Sequence, residues 1–152
     1  MVTPDATGSA TLPQWQDTTR RAIACAAEGH LAAARQLHAQ ALGIARALLA
    51  GGQAAARPDD CLAALVVAHH NLADVLAALG AQALAVDELC AAHDTLRTLV
   101  RDAAADPALR QAAWRHHRET HAALLLYLRA HGPDDAIARC LAADADPAET
   151  AH

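Results

Sequence analysis

HHNLADVLAALGAQALAVDELCAAH, residues 69–93, is the stretch whose reading decides the fold. It opens with two adjacent histidines and the carboxylate of Asp74, and it breaks once, at Gly80. Two readings compete. The histidines and the aspartate are either the start of a metal site or ordinary turns of a helical repeat that happens to be rich in histidine. The chain around the stretch favours helices. Of its 152 residues 54% are apolar but only 2% aromatic, with no Phe, so the core has to be built from Ala, Leu and Val. Alanine and leucine are the strongest helix formers, and few β-branched or aromatic residues are present to favour strands. An all-α fold of one domain, long enough to bury a core without staples, is expected.

Punctuation along the chain divides it into six helices, at 13–28, 30–50, 58–79, 81–103, 107–131 and 134–143. Asp106 before Pro107 is a start signal, an N-cap followed by proline at the first helical position. Gly29, Gly80 and Gly132 lie 51 and 52 residues apart, each closing the first helix of a pair. Ala34, Ala85 and Ala136 repeat with the same period of 51, as do Ala41, Ala92 and Ala143. Self-similarity on this scale marks stacked helical hairpins. Residues 1–11 read as a flexible lead-in, 12–143 as the folded domain and 144–152 as a frayed tail.

The middle unit resembles a tetratricopeptide repeat (TPR). Asn71-Leu72-Ala73 matches the small residue after an Asn-Leu pair, Gly80 the end of the first helix, and Ala85, Leu89 and Ala92 the small-large-small positions of the second. The resemblance is good over 67–93 and partial elsewhere: Arg21 stands where the family has leucine, and the third glycine is shifted by one. A period near 51 also exceeds the family's usual ~34 residues. The middle and last units are similar, more loosely, to a small bacterial family of uncharacterised TPR-like proteins. The resemblance implies three stacked antiparallel hairpins in a right-handed superhelical array, with the first helices lining a concave groove. Carried over position by position, the groove would present Gln16, Thr19, Ile23 and Ala26 from the first unit and Val67, His70, Asp74, Ala77 and Ala78 from the second. Asn71 would sit on its edge, and His121 either on the groove wall or just behind it.

His70 and His121 are 51 residues apart and so share a repeat position. His70 with Asp74, and His117 with His121, are pairs four residues apart on one helical face. Two such pairs facing each other on neighbouring helices are how helical bundles assemble zinc, copper or nickel sites. His93 with Asp94 or Cys90 is a lesser candidate. Against these stands the reading in which the histidines are hydrogen-bonded groove or interface residues, with His69 and His116 filling packing positions.

Other functions find little support. Every one of the 12 basic residues is arginine and the formal charge is −5, which argues against a phosphate-neutralising surface. The strip WRHHR at 114–118, with Arg110, reads as a solvated face or a contact for an acidic partner. The unbroken apolar runs are far shorter than the ~20 residues that span a bilayer, and the N-terminus lacks the basic and apolar regions of a signal peptide. Cys25, Cys61, Cys90 and Cys140 form no C-x-x-C pair, as expected of reduced thiols in a cytoplasmic protein. Ser9, the sole serine, lies in the lead-in, so no Ser-His-Asp triad is available; Cys90 and His93, three apart, lack an oxyanion site. The reading is therefore a non-enzymatic binding module for a protein or peptide segment. No nucleic acid or membrane partner is expected, and a homodimer through the fifth or sixth helix is. Transition-metal binding is the alternative.

Overall fold

The computed structural model describes residues 9–145. Side-chain caps start three of the helices. Thr11 closes a capping box on helix α1 (Leu12–Ala27): its Oγ1 accepts from Gln14 N at 3.2 Å, and its own N–H donates to Gln14 Oε1 at 3.0 Å. Asp106 Oδ1 accepts from Ala108 N at 2.9 Å to start α6 (Pro107–His131), with Pro107 in the first turn as expected. Asp134 does the same for α7 (Asp135–Asp144), accepting from Ile137 N at 3.0 Å. Between these lie α2 (Leu31–Ala50), α4 (Pro58–Ala78) and α5 (Gln82–Arg101). The one addition to the expected six is α3 (Gln53–Ala56), a single turn after Gly51-Gly52 that buries Ala54. Seven helices and no strand occur among the described residues, so the fold is all-α.

The 51-residue period has a backbone cause. Gly29, Gly80 and Gly132 are the three described residues at positive φ, +81°, +82° and +88°. At the first two the turn is the same. Gly29 N donates to Ala26 O and His30 N to Cys25 O; Gly80 N donates to Ala77 O and Ala81 N to Leu76 O. This is the Schellman closure, in which a left-handed residue lets two amides reach back to the last carbonyls of the helix. Gly132 is followed by Pro133, which has no N–H, and only the Gly132 N to Leu128 O bond forms.

The repeated alanines are where helices cross. Ala34, Ala41, Ala85 and Ala92 are all buried, whereas Ala136 and Ala143 in α7 are half-buried. Small side chains let helix axes approach, and Leu42, Leu65, Leu72 and Leu89 fill the grooves between them. A second, smaller cluster of Leu62, Val66, Leu96, Ala112 and Ala113 ties α4, α5 and α6 together. Each long helix packs on the next in the chain, α4 also touches both α1 and α6, and α7 rests more on α5 than on α6.

Two sequence expectations change here. Helix α4, 21 residues at mean hydropathy 1.5, is long and apolar enough to cross a membrane, although its unbroken apolar runs are short. Its apolar side chains are nevertheless engaged by α1, α2, α5 and α6, with 61% of that window buried. Asp144, assigned to the frayed tail, is instead the last residue of α7 and is held by several partners; residues 146–152 of that tail, and 1–8 of the lead-in, lie outside the described residues.

Candidate functional site

Val67, His70 and Asp74 follow one another along a single face of α4, and two clefts open beside them. One, of about 300 Å³, is lined by Val67 and Ala63 with Leu12, Gln16 and Arg57. The other, of about 320 Å³, sets His70 and Asp74 against Leu89, Ala123, Leu126 and Tyr127. Tyr127 donates from its hydroxyl to Gln82 Oε1 at 2.9 Å, which fixes the wall contributed by α6. Asn71 is half-buried at the edge, and Ile23 on α1 is 52% exposed. Thr19 departs from expectation. It is only 7% exposed and its Oγ1 finds no hydrogen-bond partner among the described residues, because α1 turns that side toward its neighbours.

Burial controls the charges on this face. It lowers the pKa of His70, against the pull of Asp74, and raises that of Asp74, against His70 and His38. His38 on α2 is likewise lowered by burial although Asp74 opposes it. The Nε2 of His70 and the Nδ1 of His38 are buried without a hydrogen-bond partner among the described residues. Burial therefore disfavours the charged forms of His38, His70 and Asp74 alike, and the charges of these groups on one another oppose it.

His117 and His121 lie elsewhere. The expected set of His70, Asp74, His117 and His121 is not brought together: among the described residues the one trio whose ligand atoms all fall within 4.8 Å is His93, His121 and Asp144. The reason is the rotation of α6. Its second pair faces α5 and α7 instead of α4, placing His121 behind the groove wall.

Asp144 is the hub of that second cluster. Its Oδ2 is 2.7 Å from His93 Nε2 and 3.7 Å from His121 Nδ1; its Oδ1 is 3.3 Å from His117 Nε2 and accepts from Arg97 Nη1 at 3.0 Å. Burial works against its ionisation, yet hydrogen bonds with His93 and Arg97 hold its carboxyl below the usual range. His93 is fully buried, with Nδ1 2.7 Å from Thr120 Oγ1, and its ring stacks on that of His117 at 4.2 Å between centroids. Burial, then the neighbouring His93, lowers the pKa of His117. Arg97 and Arg101 also donate to Cys140 O, Ala143 O and Asp144 O, satisfying the terminal carbonyls of α7. His93 is thus engaged with Thr120 and Asp144, not with Cys90 or Asp94. Asp94 pairs with Arg97 and lies 3.3 Å from Cys140 Sγ.

The packing histidines behave as read. His69 Nδ1 meets Glu88 Oε2 at 2.8 Å between α4 and α5, and His116 Nε2 meets Asp59 Oδ1 at 3.1 Å between α6 and α4. Arg115 Nη2 is 3.3 Å from the same Asp59 oxygen, so part of the WRHHR strip is an internal contact.

A signal for His93 and Asp144 was present in the sequence: they are 51 residues apart, one full period, on the second helices of consecutive pairs. The same register, applied to the first helices, singled out His70 and His121.

A family model matches residues 13–150, nearly the whole chain, under the description "Protein of unknown function (DUF2753)". The chain belongs to that family. Neither the curated proteins nor the solved structures contain a match. The match spans α2 to α7 and all of α1 after Leu12, and it assigns no activity to either cluster.

Proposed function

We propose that this chain is a TPR-like, non-enzymatic interaction module that holds a protein or peptide segment along the face shared by α1, α4 and α6. The observation that carries the reading is the stripe Val67, His70, Asp74 on α4, bordered by one cleft toward α1 and another toward α6. An extended or helical segment lying across α4 meets apolar surface at Val67 and Leu126 and a hydrogen-bonding patch at His70 and Asp74. Helix stacking keeps that surface in place, which lowers the ordering cost of capture. Selection of a displayed peptide library on the immobilised chain is the test. Binders are expected that lose affinity at least tenfold on Val67→Glu or Asp74→Arg and keep it on Ala83→Glu, since Ala83 is exposed on α5. Failure to enrich any sequence, or binders indifferent to Val67→Glu, would falsify the groove.

Self-association is a second reading, favoured by Trp114, 57% exposed, and Leu125, 48% exposed, on the outer side of α6. Light scattering is expected to give a dimer that Trp114→Glu dissociates. A wild-type monomer at high concentration removes it.

A further inference from the structure

We propose that His93, His121 and Asp144 form a transition-metal site where α5, α6 and α7 meet, taking one zinc, copper or nickel ion and leaving a coordination position toward solvent. The site is separate from the groove and stands or falls without it.

Three helices supply the donors, His93 from α5, His121 from α6 and Asp144 from the end of α7, with one ligand atom of each within 4.8 Å of the others. Two ligands at about 2.0–2.1 Å from a tetrahedral ion are themselves about 3.3 Å apart. The Asp144 to His121 separation of 3.7 Å closes slightly to reach that, and the His93 to Asp144 separation of 2.7 Å opens by a similar amount. Two imidazoles and a carboxylate suit a borderline transition metal; calcium and magnesium prefer an all-oxygen shell.

The surroundings prepare the donors. Thr120 Oγ1 lies 3.1 Å from His117 O, to which it can donate, and 2.7 Å from His93 Nδ1. In the tautomer with the proton on Nδ1 facing Thr120, Nε2 presents its lone pair toward Asp144 Oδ2, which is the form that ligates a metal ion placed between the two. A hydrogen bond at the ring's other nitrogen is the usual way a protein orients a ligating histidine. Arg97 anchors Oδ1 of Asp144, leaving Oδ2 as the donor, and shares its own charge with Asp94. The C-terminal end of α7 adds a partial negative charge that favours a cation. Access runs past His121, whose side chain is 46% exposed, while His93 seals the inner side.

The experiment is calorimetric titration of Zn²⁺ and Cu²⁺ into the full chain without a tag. One equivalent should bind. His121→Ala and Asp144→Asn should each weaken binding at least tenfold, and His70→Ala and Asp74→Asn should leave it unchanged. No stoichiometric binding by the wild type, or an equal loss from His70→Ala, overturns the site. X-ray absorption of the zinc-loaded wild type gives a readout without a variant. Imidazole scattering from two histidines is expected, and a shell lacking imidazole overturns the assignment.

Discussion

The middle and last helix pairs begin from the same periodic glycine and end differently. After Gly80 the amide of Ala81 reaches back to Leu76 O, and α5 lies firmly along α4. After Gly132 comes Pro133, with no amide to donate, and α7 settles on α5 more than on its own partner α6. One pair is closed by its turn, the other by side chains: Arg97 and Arg101 of α5 grip the terminal carbonyls of α7. The difference teaches that a repeat can keep its period while one residue after the turn redirects a helix. In this chain that redirection is what carries Asp144 to His93.

The comparison breaks most visibly at the alanine crossings. Ala85→Leu or Ala92→Leu forces α4 and α5 apart and should cost up to ~3 kcal/mol, read as a fall in denaturation midpoint. Ala136→Leu, at the equivalent but half-buried place on α7, should cost distinctly less, and Ala83→Leu almost nothing. Equal effects at all four positions would mean that the middle and last pairs are packed alike.

Arg97→Ala comes next. It removes charged hydrogen bonds to Cys140 O and Asp144 and should cost about 2 kcal/mol. Hydrogen exchange should show faster exchange of the α7 amides while those of α4 are unchanged. Uniform acceleration throughout the chain would contradict the idea that α7 is held chiefly by α5.

Acid should strike where α4 packs on α2 and on α5. Burial lowers the pKa of His38 and His69, with Asp74 and Glu88 respectively opposing it, so the unfolded chain takes up protons first as pH falls below 6.5. Their contribution is complete above that value and is lost as pH drops through the folded pKa values, with a slope of at most about 1.4 kcal/mol per pH unit for each histidine. Asp74, raised by its own burial, works in the opposite sense in the carboxylate range. Melting temperatures at pH 7.5 and 5.5 check this: the wild type should lose stability at the lower pH, and His38→Leu should lose less. A flat profile is incompatible with buried neutral imidazoles.

The smallest effect belongs to the turn itself. A Cβ at Gly80 meets no atom within 4 Å, so Gly80→Ala should cost only the left-handed backbone penalty, about 1 kcal/mol. A much larger loss by chemical denaturation would point to a packing role that the open space there does not provide.

How much of this was legible beforehand follows from the range of the interactions. Asp106-Pro107, the glycines at 29, 80 and 132, and the Ala-Leu composition act through their own or neighbouring turns, so helix bounds and the period could be read directly. The extra turn of α3 escaped because Gln53–Ala56 is too short to carry a pattern. The sequence by itself determined an all-α chain with a 51-residue period, and it contained the register that pairs His93 with Asp144. Which histidines met was decided only by the tertiary structure. Successive residues point ~100° apart around a helix, so a one-residue offset at Gly132 turns His117 and His121 away from α4. The grip of Arg97 on α7 then brings Asp144 to meet them, through contacts 27 and 47 residues apart that no local pattern encodes.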